Sequence, residues 1–431
     1  MSTERLSLTD AVARMHPVDS LGVPLGPGQP AAFMHALGER TDWEHLEIGG
    51  ALLVDLYGVF LHPGVNYRSG FFGPAERFLR DSGARVEFVP ADFRRFAPIA
   101  EQMHSRVVAT IATPPDKDGY CSLGLHAGAT ISELRRAGED PDRVLLVETN
   151  AALPYTFGLP PEHAHRLHID EIDIMVESDR PIFELPDAPP NDVERAIAAH
   201  AATFIVDGAT LQTGIGGIPS QVATILAEGP GGDYGVHSEM FTNGLMRLHL
   251  AGKVTNARKD LFDGMSITTF AAGSRDLYDW LDHNDEVRFL PVDMVNAPET
   301  ISKNHLMVSI NGALAVDLYG QVMADTLSGS QFSGIGGHED FVASSGLELE
   351  DRSLICLPSS STVEGVRVPR IVDFLPHGAI VTTPRHHIDL VVTEFGSAHL
   401  RGRTVRERAF ALAEIAHPDD RDHLRESAQR L

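Results

Sequence analysis

The chain has 431 residues, 43% hydrophobic and 22% charged, with a formal net charge of −25. That length exceeds one ordinary hydrophobic core and predicts two domains, while so acidic a surface excludes nonspecific binding to nucleic acid or to an anionic membrane. No apolar run approaches the ~20 residues that span a bilayer, Met1-Ser2-Thr3-Glu4-Arg5 reads as no signal peptide, and Cys121 and Cys356, far apart, imply no disulfide framework. A reducing cytoplasm is the expected compartment.

In chain order, Leu25-Gly26-Pro27-Gly28-Gln29-Pro30 opens a helical Ala31-Ala32-Phe33-Met34. Ala51 to Leu56, Val107 to Ile111 and Val144 to Glu148 read as strands. His163, His165 and His168 with Asp170 match no standard zinc spacing and read as a polar loop, so no metal is expected; His386-His387 is discounted likewise. Residues 179–191 hold four prolines and little periodic apolar content, which marks a linker. Asp192 to Ile197 then opens a helix with Asn191 or Asp192 as its N-cap. The expected domains are therefore 1–185 and 191–431. Strands are expected again at Ala209 to Leu211, Met307 to Ile310 and Asp389 to Thr393, and this alternation predicts α/β domains with mainly parallel sheets.

After the strand ending at Leu211 comes a glycine loop, Gln212-Thr213-Gly214-Ile215-Gly216-Gly217-Ile218-Pro219, running into a helix. Such a loop brings backbone N–H groups and a helix N-terminus to a phosphate or oxyanion; its plain alternative is a tight turn that binds nothing. Pro219 stands where a dinucleotide fingerprint needs its third glycine, and no P-loop lysine follows. The loop and its helix echo the first-half segment 25–34 in order of glycines, proline and helix. About one short helix later, Gly235-Val236-His237-Ser238-Glu239-Met240 offers a carboxylate among apolar neighbours. Glu239 is either a surface residue or a half-buried nucleophile. Lys253, Arg258 and Lys259 form a basic group able to capture a phosphate, whose ordinary reading is a solvated face. A second loop, Gln331-Phe332-Ser333-Gly334-Ile335-Gly336-Gly337-His338-Glu339-Asp340-Phe341, repeats the pattern Gly-Ile-Gly-Gly. No Gly-x-Ser-x-Gly elbow signals a serine triad.

These segments, together with Thr113 to Tyr120, Glu148 to Pro154, Ile310 to Leu314 and Val392 to Gly396, resemble the acetyl-CoA hydrolase/transferase family, which includes the 4-hydroxybutyrate CoA-transferases. The resemblance implies two related open α/β domains and a homodimer. It makes Glu239, the Glu of the His-Ser-Glu motif, the nucleophile of a CoA transfer between an acyl-CoA and a small carboxylic acid. It also implies that Gly214, Ile215, Gly216, Gly217 and Ile218 line the CoA site, that Ser333 and Asn311 lie near the thioester, and that the Gly337 N–H is the oxyanion donor. Coenzyme A is then a substrate, and no tightly bound cofactor is expected. His338 stands where many relatives carry Gln, and Thr242-Asn243 replaces a commoner Ser-Asp pair.

Overall fold

Parallel strands covered by helices need short apolar runs buried on both faces, and this chain supplies two sets of them. The computed structural model describes residues 3–345 and 348–431. It carries one main sheet in each of two units, Met1–Leu185 with Ile267–Val295, and Pro186–Ser266 with Asn296–Leu431.

In the first unit the strands are β1 (Glu4–Arg5), β2 (Val18–Gly22), β3 (His45–Gly50), β4 (Val65–Ser69), β5 (Val86–Phe88), β6 (Val107–Ala112), β7 (Val144–Thr149) and β8 (Ile174–Glu177). They form a wholly parallel sheet in the order β1-β8-β7-β6-β2-β3-β4-β5. All six residues of β6 are buried, as a central parallel strand demands. Helix α1 (Ala31–Gly38) packs Phe33, Met34 and Leu37 into the same core as Leu46 and Ile48. The first-turn N–H groups of Ala32 and Phe33 donate to the buried Glu148 carboxylate, at 3.3 and 3.0 Å. The glycine corner before α1 therefore meets an internal anion rather than an external one.

The second unit contains α2 (Asp192–Ala202), β9 (Thr210–Thr213), α3 (Gly217–Glu228), β10 (Gly235–Val236), α4 (Asn243–Leu250), β11 (Met307–Gly312), α5 (His338–Ser344), β12 (Arg352–Cys356), β13 (Leu390–Thr393) and β14 (Gly396–His399). The sheet order is β10-β9-β11-β12-β13-β14, parallel except for the last pair. Leu211 of β9 lies between Val236 and Val308 in register. Asn191 caps α2 in a reciprocal box with Glu194, as its position before an apolar period predicts.

Two expectations need correction. Ala51 to Leu56 is not a strand; the strand is His45–Gly50. Leu52 has a φ of +45°, and the carbonyls of Ala51 and Leu52 accept from the Gly26 N–H, so the apolar run is spent on a loop contact. The chain after 191 also does not stay in one unit. Residues Ile267–Val295 return to the first, where Ala271 N–H donates to Leu125 O, Phe289 N–H to Phe157 O and Val292 N–H to Gly128 O. Backbone pairing with residues more than a hundred positions upstream leaves no local trace in sequence.

Candidate active site

β9 is buried throughout and delivers the chain to its glycine loop. An added Cβ on Gly214 or Gly216 would meet nothing within 4 Å, so no packing demands glycine at either place. Gly216 has a φ of +117°, a conformation that L side chains rarely adopt, and it caps α3 without a side-chain hydrogen bond. Pro219 falls in the first turn, and Ile215 is 55% exposed. The loop is an open rim of backbone at Gly214 and Gly216, while the Glu194 carboxyl packs against Gly217 where the twelve-residue α3 begins.

β10 runs beside β9, and His237 N–H donates to Leu211 O at 3.1 Å. His237 and Ser238 are fully buried. Ser238 Oγ accepts from Thr213 N–H at 3.3 Å and donates to Met240 O at 2.8 Å. One hydroxyl thus ties Thr213 of the first glycine loop to the turn that presents Glu239.

The second loop closes on the same carboxyl group. A Cβ on Gly337 would lie 1.8 Å from Glu239 Oε2 and 2.5 Å from Asn296 Nδ2. Asn296, wholly buried, donates from Nδ2 to Glu239 Oε2 at 2.6 Å and to Asp340 Oδ2 at 3.0 Å. Glu239 keeps partial exposure as a residue, while its Oε2 lies against Gly337 and Asn296. Burial pushes its pKa up to about 8; the Asn296 bond opposes this and the nearby Asp340 reinforces it. A carboxyl held by an amide and set against glycine backbone can act as a nucleophile once it ionises.

Glu239, Gly337 and the first loop come together in this unit. Asn311 turns instead to β9, donating from Nδ2 to Gln212 Oε1 at 3.2 Å. Ser333 lies in the second loop, its N–H held by Asp325 O at 2.9 Å. His338 follows Gly337, and burial takes its pKa down to about 4. Glu339 in the first turn of α5 is engaged by His387 Nδ1. Asn243 donates to Asp187 Oδ1 at 3.2 Å, in a cluster with Arg247 and Ser220.

The basic group is not a shared face. Lys253 Nζ donates to Gly229 O and Gly231 O, Arg258 pairs with Asp233, and Lys259 is fully buried. Of the first-half histidines, His165 bonds Gly124 O and stacks on Phe289, while His168 Nδ1 accepts from Asp170 N–H. Among the described residues no cluster of three His, Cys, Asp or Glu side chains could hold a metal, and no helix is long and apolar enough to cross a membrane. Asn296 escaped sequence reasoning, and Asp340, though inside the second loop, carries no role there. Asn296 lies 57 positions from Glu239 in a run without a motif, so no local signal could have found it.

With this geometry in hand, comparison with known proteins is informative. Residues 273–428 match the family model of the acetyl-CoA hydrolase/transferase C-terminal domain. The chain is 35% identical to the succinyl-CoA:cyclohexane-1-carboxylate CoA transferase of Geobacter metallireducens, over 99% of this chain and 95% of that protein. It is 39% identical to the 4-hydroxybutyrate coenzyme A transferase of Clostridium kluyveri, over 82% of this chain and 80% of that protein. In structure it resembles RipA from Yersinia pestis, with a TM-score of 0.89 at 30% identity, covering 99% of this chain and 97% of that one.

Proposed function

Because this chain belongs to the acetyl-CoA hydrolase/transferase family and is a CoA-transferase by kind, we propose that it moves CoA between an acyl-CoA and a small carboxylic acid through Glu239. The observation that carries the reading is the Glu239 carboxyl, bonded to Asn296 and set against Gly337, one residue from the Ser238 tie to the first glycine loop.

In this reading Glu239 first loses its proton to solvent. Its carboxylate attacks the thioester carbonyl, the C–S bond breaks, and an acyl-glutamyl anhydride and CoA thiolate result. The thiolate attacks the glutamyl carbonyl and expels the first carboxylate, leaving a glutamyl-CoA thioester. The incoming carboxylate reverses both steps and departs as the new acyl-CoA, so each exchange passes through stages of similar energy. The Gly337 N–H serves the oxyanion, residues Gly214 to Ile218 cradle CoA, and Ser333 and Asn311 support the thioester region. Remote binding of the CoA nucleotide helps drive the chemistry. A homodimer in the cytoplasm completes the proposal.

Acyl-CoA hydrolysis at the same site is the competing reading, favoured by the family's own description. It differs only in whether water is excluded in favour of a carboxylate. Release of CoA from acetyl-CoA, measured with and without acetate, propionate, succinate or 4-hydroxybutyrate, separates the two. Transfer requires acceptor dependence, and full-rate release without acceptor rejects it. Intact mass after acyl-CoA and borohydride then reports the covalent step, since reduction converts the trapped glutamyl thioester to an alcohol.

A further inference from the structure

β10 is the edge of its sheet, yet its outward backbone is not left open. Gly235 N–H and His237 N–H point inward, to Ala209 O and Leu211 O. The intervening Val236 therefore turns its own N–H and C=O away from β9, where a further strand would bind them. The backbone of residues 253–256 pairs beside Tyr234, and at Val236 side chains take over. Asn256 Oδ1 accepts from Val236 N–H at 2.9 Å, and Lys259 Nζ donates to Val236 O and Met265 O, both at 2.8 Å.

Both residues are built into the interior. Lys259 is 0% exposed and Asn256 2%. The Lys259 stem runs over Gly235, where an added Cβ would lie 2.5 Å from its Cγ. Asn256, at a φ of +54°, is anchored through Nδ2 to Ser266 Oγ at 3.1 Å. A buried ammonium is costly unless bonded, and this one meets two carbonyls. Burial takes its pKa down to about 7, which Asp263 opposes. Either protonation state keeps two N–H donors, so the bonds persist across neutral pH.

We propose that Lys259, with Asn256, is a positioning residue for Glu239: the two side chains grip both polar groups of Val236 in place of a neighbouring strand and so fix the turn three residues on. This rests on the reading that Glu239 is the nucleophile. Lys259 touches no reacting atom; it sets where Glu239 stands relative to Asn296 and Gly337. A misplacement of about 1 Å in such a group costs on the order of 10²-fold in rate.

The test uses wild type, Lys259→Met, which keeps the stem and removes the donors, and Gly235→Ala, which displaces the stem and keeps the ammonium. Wild type is first incubated with acetyl-, butyryl- and succinyl-CoA and borohydride. An unmodified wild type overturns the Glu239 reading, and the clamp with it. Given a labelled wild type, both variants are expected to lose at least about tenfold in kcat with KM for acyl-CoA within about twofold. The acid limb of their pH-rate profile is expected at lower pH, because a released turn lets the Glu239 carboxyl leave Asp340 and the buried site for water. Should Lys259→Met not fold, Asn256→Gly, which suits the φ of +54° and removes the acceptor of the Val236 N–H, takes its place. Wild-type kcat in a folded variant, or an unchanged acid limb with a rate loss equal to the unfolded fraction, overturns the clamp while leaving the Glu239 reading intact.

Discussion

Oε2 of Glu239 occupies the space that any side chain on residue 337 would need: a Cβ on Gly337 would stand 1.8 Å from it and 2.8 Å from Cδ. Gly337 is required by this close approach and not by its backbone angles, since its φ is −89°. Gly337→Ala is therefore expected to fold and to push the carboxyl off Asn296. Its kcat should fall roughly 10²-fold, the cost of a misplaced reacting group. Steady-state kinetics beside a thermal melt check this, and wild-type kcat in a folded Gly337→Ala protein would remove the contact from the mechanism.

The raised pKa of Glu239 makes a stability prediction with a definite sign. Its folded value of about 8 exceeds the ordinary 4.5, so between those limits the folded state binds the proton more tightly. The stabilisation is complete below pH ~4.5 and is lost as pH rises through about 8. Glu239→Gln cannot ionise. Its melting temperature should pull ahead of wild type from pH 5 to pH 9, while CoA transfer falls to background. Calorimetry across that range decides, and parallel curves would contradict the raised pKa.

Asn296 donates to two carboxyl groups at once, at 2.6 and 3.0 Å. Asn296→Ala removes the amide that Glu239 and Asp340 share, which disfavours ionisation of Glu239. The acid limb of kcat/KM should then move to higher pH, and activity at pH 7 should drop by roughly 10²-fold. Opposite displacements of this limb in Asn296→Ala and Lys259→Met would separate loss of a donor from loss of position.

Gly214 and Gly216 face open space. Gly214→Ala should leave the melting temperature within about a degree, since exposed changes away from packing are near neutral, while the KM for acyl-CoA rises several-fold if the loop carries the ligand. An unchanged KM for every acyl-CoA tried would make the loop a mere turn.

Asn243 donates to Asp187, which also bonds Arg247, and Arg247 with these hydrogen bonds holds the Asp187 carboxyl below its ordinary range against the effect of burial. Asn243→Asp sets a second carboxylate beside Asp187. It should cost about 1 kcal/mol at pH 7, a penalty that disappears below pH ~4 as the new group protonates. Denaturant melts at pH 7 and pH 4 would show it.

Much of this site was legible before the structure because its signals are local. A glycine doublet before a helix, a His-Ser-Glu run and alternating apolar segments are each written in consecutive residues. From these the α/β class, both Gly-Ile-Gly-Gly loops and Glu239 could be read. Side-chain charge misled where burial overrode it: Lys259 looked like surface and is wholly interior, held by two carbonyls.

The sequence by itself determined which chemical groups exist and in what order they arrive. The tertiary structure alone decided that Asn296 and Asp340 meet Glu239, that Ile267–Val295 packs with the first unit, and that Asn256 and Lys259 stand in for a missing strand. Those meetings depend on sheet register and on buried polar groups finding partners, both set by the whole core. A carboxyl's environment is made by residues far from it in the chain, and so only the fold can set Glu239 against Asn296 and Gly337.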